Sequence, residues 1–150
     1  MNIRFERADF EDIDILIEVQ NQSFYADFVK YGTCPGYKKS RERMTKIISE
    51  HFVYKILCDD IVVGDVIVRN PAPTHYHLSC LCVVPEFENK GIGQSAMRFI
   101  EYTFAEARHW SLNTPADKAR NHYFYKKFGF KVTKEYDCDG VLISDLERFL

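Results

Sequence analysis

The sequence predicts an α/β (α+β) fold, a mixed and largely antiparallel twisted sheet flanked by helices. Three observations lead there. The hydrophobic period switches along the chain in the order β-α-α-β-β-β-α-β-α-β-β. Two pairs of β-branched and aromatic runs are joined by short acidic turns, the mark of hairpins. In mid-chain a glycine-bearing turn converts a strand into a helix.

Residues 2–7 alternate in type and suit a short strand. Asp9 can then cap a helix whose apolar face uses Ile13, Leu16, Ile17 and Phe24. The stretch 31–37, with Gly32, Pro35 and Gly36, should break it. A second helix is expected over 40–50, with Met44, Ile47 and Ile48 inward. Residues 52–58 and 61–68 form a hairpin about Asp59 and Asp60. Residues 70–75 read as a loop and 76–84 as a strand that Pro85 ends. Next comes an amphipathic helix with Ile92, Ala96, Phe99, Ile100, Thr103 and Ala107 on one face. A short strand over 109–113 precedes a helix over 116–127, started by Thr114 and Pro115. Strands at 130–136 and 141–146 close the chain as a hairpin through Asp137–Gly140.

A chain of 150 residues is the size of one domain, here 1–150, without repeats or linkers. A net charge of -2 argues against a nucleic-acid protein held by a global positive field. The five cysteines are odd in number and none has CxxC spacing, so neither a disulfide framework nor a zinc site is expected. Cys80 and Cys82 share a face if their segment is a strand. They read either as two small half-buried apolar side chains or as a catalytic thiol, for which no His/Asn partner pattern is found. The charged N-terminus lacks an apolar signal region and no run is long enough to cross a bilayer, so a cytoplasmic protein with no membrane association is expected.

The chemistry concentrates in 83–98. Gly91 and Gly93 let backbone N–H groups approach a ligand, and a helix N-terminus adds unpaired donors and partial positive charge. Phosphate suits that place, and Lys90 and Arg98 add charge nearby. The GxxxxGK[ST] loop is absent. Gly91, Gly93 and Ala96 match G-x-G-x-x-A in form, but the motif follows a hairpin deep in the chain instead of opening a βαβ unit.

The run 81–94 resembles motif A of the GNAT acetyltransferase superfamily, a strand ending in V-x-P-x-aromatic followed by [QR]-x-x-G-x-[GA]. Val83, Pro85, Phe87, Gly91 and Gly93 carry the match. Residues 121–130 resemble the second signature, FYxxxGF, through Phe124, Tyr125, Gly129 and Phe130. One departure is Glu88, which stands where the family usually has Gln or Arg.

The resemblance implies an N-acetyltransferase that moves an acetyl group from acetyl-CoA to a primary amine by direct attack, with no metal. The cofactor would contact Cys82, Val83, Val84, Asn89, Lys90, Gly91, Ile92, Gly93, Gln94 and Ser95, with Asn121 and Tyr125 on the later helix. An N–H from Cys82 or Val83 would polarise the thioester carbonyl. Relatives often carry a glutamate base where His77 stands. His77 is therefore either the base or a residue that shapes the pocket, with Glu86 and Glu88 as rivals. Tyr125 matches the tyrosine that protonates the leaving thiolate; its alternative is packing. Asn121 either substitutes for a pantetheine-binding asparagine whose usual spacing falls on Lys118 or is a solvated helix residue, and Lys118 or Arg120 could instead meet the ribose phosphate.

The family places the acceptor near 24–39, where Phe24, Tyr25, Phe28, Tyr31 and Tyr37 either wall a substrate or pack the helices, and Asp27 could bind a cationic amine. Both a small-molecule amine and a peptide amine remain open. Rival readings are a CoA-binding sensor without turnover, a transferase for a longer acyl-CoA, and a nucleotide-binding regulator. The terminal hairpin offers edge strands, hence a possible homodimer.

Overall fold

The computed structural model describes residues 1–150. Its hairpin turns follow from local chemistry. Asp59 and Asp60 both have positive φ, 48° and 71°, the conformation that a two-residue turn needs between twisted strands. They join β2 (Phe52–Cys58) to β3 (Ile61–Ala72). Asp139 and Gly140, at 51° and 87°, do the same between β6 (Lys131–Cys138) and β7 (Val141–Phe149). The loop expected at 70–75 is shorter. β3 continues to Ala72, and only two residues separate it from β4 (His75–Val83). The Asn70 side chain makes this possible by donating to the carbonyls of Ala72 and His75, each at 2.8 Å.

The remaining elements are β1 (Ile3–Arg7), α1 (Ile13–Tyr31), α2 (Arg41–Glu50), α3 (Ile92–Thr103), β5 (His109–Pro115) and α4 (Ala119–Lys127). The seven strands form one sheet in the order β1-β2-β3-β4-β5-β7-β6. Pairing is antiparallel for β1–β2, β2–β3, β5–β7 and β6–β7, and parallel for β4–β5. The mixed, mostly antiparallel sheet with flanking helices is the fold class the sequence predicts.

Two compact units are distinguished. One comprises Met1–Arg69 with Cys80–Ala105, the other Asn70–Ser79 with Glu106–Leu150. In the first, Asp9 caps a short 3-10 turn over Phe10–Asp12 that runs into α1. Gly32 ends α1 in the left-handed region, its N–H bonded to Phe28 O. The core sets Ile13 and Leu16 of α1 and Met44 and Ile48 of α2 against Val53, Ile67, Cys80 and Cys82 of the sheet. Phe24, Ile17 and Ile47 pack at its margin. Elsewhere in the unit, α3 buries Ile92, Ala96, Met97 and Ile100, and its Phe99 stacks on Phe5 at 4.5 Å. Ala107, expected on that helix, lies outside it, because α3 ends at Thr103.

In the second unit Trp110, Leu112, Tyr125, Phe130 and Leu146 are buried. Here the expected helix start at Thr114 and Pro115 is corrected. Thr114 pairs with Ser144 and Pro115 with Ile143, so both belong to β5, and α4 starts at Ala119. A proline without its N–H is tolerated at a strand end. The terminal hairpin also has one edge strand, not two: β7 lies between β5 and β6. The edge strand β6 is almost wholly exposed and carries Lys131, Lys134, Glu135 and Asp137, charges that discourage edge-to-edge pairing.

Candidate active site

The phosphate-loop candidate belongs to the first unit. β4 ends at Val83, Pro85–Phe87 make a single 3-10 turn, and the chain then uses two left-handed residues, Asn89 (φ 60°) and Gly91 (φ 80°), to enter α3. Gly91 is the N-cap, with no side-chain cap and no acidic residue in the first turn of α3. The amide of Ser95 is engaged by Gly91 O at 3.1 Å, the first helical bond. The N–H groups of Ile92, Gly93 and Gln94 precede that bond and have no acceptor within the helix. The Ile92 side chain is buried and anchors the turn, while Gly93 and Gln94 are half-buried. Lys90 is exposed. Nothing lies within 4 Å of a Cβ built on Gly91, so the space over the turn is open.

Of the strand residues singled out for the cofactor, the Val84 N–H is committed to Val63 O at 2.8 Å. Cys82 points its side chain into the core, within 3.3 Å of Asp65 Oδ1. β4 pairs with β5 in parallel over His75–His77.

The second unit holds the candidate acid and base. His77 Nδ1 and His75 Nε2 both lie 2.8 Å from Ser111 Oγ. A hydroxyl has one proton, so it donates to one ring and accepts from the other. Burial and the neighbouring His109 lower the pKa of His75, with Glu147 opposing, which favours a neutral His75 ring. His109 stacks on His75 at 3.9 Å and bonds Glu147 at 2.7 Å. Tyr125 is buried on α4, with its ring edge-on to Phe124 and Phe130 at 5.0 and 5.8 Å. Asn121 Nδ2 donates to Thr114 Oγ1 at 3.0 Å, which ties α4 to β5.

The acceptor aromatics divide. Phe24 packs toward the core and lies under Gly36, where a Cβ would sit 2.4 Å from its ring. Phe28 stacks on Tyr37 at 4.7 Å and Tyr25 tilts against the same ring at 5.9 Å, both largely exposed. Tyr31 is half-buried, with Lys30 Nζ 5.1 Å over its ring. Packing therefore claims Phe24, and Tyr25, Phe28 and Tyr37 form a separate surface group.

Sequence reasoning missed Asp65, Gln20 and Ser111. Asp65 and Gln20 are fully buried and share a hydrogen bond of 2.6 Å. A lone acid inside the apolar run 61–68 was the available signal.

The family model for the acetyltransferase (GNAT) domain matches residues 49–132, a span that includes the Gly91 turn and all of α4. The chain belongs to the GNAT acetyltransferase family. Among curated proteins, this GNAT chain is 38% identical over 87 residues to the uncharacterized protein YrkN of Bacillus subtilis, a match that covers 57% of the chain and 47% of YrkN. The chain thus spans about half the length of that relative. Solved structures agree on the GNAT fold. The PaiA N-acetyltransferase of Thermoplasma acidophilum, in complex with coenzyme A, superposes with a TM-score of 0.84 at 21% identity, covering 100% of both chains. The ribosomal-protein-S18-alanine N-acetyltransferase of Escherichia coli gives 0.80 at 10% identity, over 99% of this chain and 94% of that one. No helix of the GNAT chain is long and apolar enough to cross a membrane.

Proposed function

We propose that the protein is an N-acetyltransferase that moves an acetyl group from acetyl-CoA to a primary amine within a ternary complex. The carrying observation is the start of α3, which ends in an uncapped left-handed glycine, without first-turn acid, inside the family's motif. Its orphan N–H groups and dipole suit a pyrophosphate. The strand that runs into this turn, residues 79–83, would pair with the pantetheine arm, and a backbone N–H of Cys82 or Val83 would meet the developing oxyanion.

In the reaction the amine lone pair forms the new C–N bond and the thioester C–S bond breaks. The nitrogen loses one proton and the departing thiolate gains one. His77 is the proposed acceptor of the first, since an imidazole held at Nδ1 by Ser111 presents Nε2 for a proton when Nδ1 carries hydrogen. Tyr125 is the proposed donor of the second.

The test is thermal melting with acetyl-CoA, with ATP and NAD as controls, followed by kinetics on an amine panel. Acetyl-CoA alone should raise the melting temperature. Tyr125→Phe should retain that rise while kcat falls on the order of 100-fold or more. Absence of any rise would overturn the reading. A rise with no turnover on any small amine or peptide N-terminus would favour a CoA-binding sensor instead.

A further inference from the structure

Beneath α1 lies a set of polar groups that the transfer reaction does not use. Cys80 and Cys82 alternate inward from β4, and both sulfurs lie 3.3 Å from Asp65 Oδ1 on β3. The three donor atoms all fall within 4.8 Å of one another. Asp65 is 0% exposed, Cys80 8% and Cys82 5%. Gln20, also 0% exposed, holds Asp65 Oδ2 at 2.6 Å and lies 3.9 Å from the Cys80 sulfur. Lys39 Nζ donates to Gln20 Oε1 at 2.9 Å.

We propose that Asp65, Cys80 and Cys82 form a binding site for a thiophilic divalent cation of the zinc type. The spacing fits. With metal–sulfur bonds of about 2.3 Å and metal–oxygen bonds of about 2.0 Å, a tetrahedral S–O edge is about 3.5 Å. The donor types fit as well, since thiolates and one carboxylate select zinc over magnesium or calcium. Gln20 orients the carboxylate from outside, the usual role of an outer hydrogen-bond partner, and is the polar group beside the fourth position. Charge also closes. Two thiolates and a carboxylate around a dication leave one negative charge, and Lys39 brings one positive charge through Gln20.

Without metal, burial raises the carboxyl pKa of Asp65, and the Cys82 hydrogen bond and burial raise the thiol of Cys80 well above its ordinary value. A metal binds thiolate and displaces the thiol proton, so affinity rises with pH. The glycine beside Asp65 draws the strands together at this level. A Cβ on Gly64 would sit 2.0 Å from the Cys82 carbonyl oxygen.

The probe is cobalt. The full chain is unfolded with chelator, refolded with graded Co²⁺, and followed by absorption. One equivalent should give the intense tetrahedral spectrum with thiolate-to-cobalt charge transfer, and Zn²⁺ should displace it. Cys80→Ser and Cys82→Ser should each weaken binding by about 100-fold or more. The combined Cys34→Ser, Cys58→Ser, Cys138→Ser variant should bind as the unmodified chain does. Absence of charge transfer in the refolded unmodified chain would overturn the proposal without reference to any variant. So would its persistence in Cys80→Ser, or its loss in the triple control.

Discussion

Helices α2 and α3 begin in opposite ways. At α2 the protein closes its own helix end. Ser40 sits in extended backbone, its Oγ accepts from Arg43 N at 3.0 Å, and Glu42 adds negative charge in the first turn. At α3 none of this is done. The N-cap is a left-handed glycine, no side chain caps it, and no acid occupies the first turn. The same orphan donors and the same dipole occur at both ends. One is satisfied from within and serves stability. The other is left open, as the proposed phosphate site requires.

The most disruptive way to break the contrast is Gly91→Ala. No neighbour blocks a Cβ there, so the cost is conformational, about 1–2 kcal/mol for a non-glycine residue at φ 80°. The melting temperature should fall by about 2–8 °C, and the rise induced by acetyl-CoA should shrink. Asn at 91, which tolerates the left-handed region, should recover much of both. Ser40→Ala comes next. It should cost about 1 kcal/mol, or about 2–4 °C, and leave the acetyl-CoA response unchanged in degrees gained. The smallest and sharpest is Gln94→Glu. A carboxylate in the first turn of α3 should stabilise the free protein by about 0.3–1 kcal/mol while weakening acetyl-CoA binding several-fold. Added salt should erode both effects. Calorimetric affinities that do not change in Gln94→Glu would place the phosphates elsewhere.

Much of this contrast was legible in the sequence, because capping and turn chemistry are local. Ser40 before a helical period, glycines before another, and the acidic pairs at 59–60 and 137–140 need only near neighbours to act. The errors were of the opposite kind. Thr114 and Pro115 look like a helix start until β7 claims them through a ladder to residues about 30 positions away. Asp65 reads as an interruption of an apolar strand, since Gln20, Cys80 and Cys82 lie 45, 15 and 17 positions from it in sequence. Pairing Cys80 with Cys82 by strand alternation was correct, but the spacing alone could not supply the third donor. Motif singles out Tyr125 and the Gly91 turn, and position singles out His77, whose bond to Ser111 the sequence does not foretell.

Gly64 carries a consequence for how the chain finds its fold. The ladder between β2 and β3 shifts register at Ile56/Leu57, opposite Gly64 and Val62, and the Cys82 carbonyl fills the space where a side chain at 64 would stand. A slip of β3 by one residue would bring Val63 or Asp65 against that oxygen and exchange the two buried faces of the strand. The missing side chain therefore leaves room for that carbonyl in one register, and a side chain brought to the same place by a slip would collide with it.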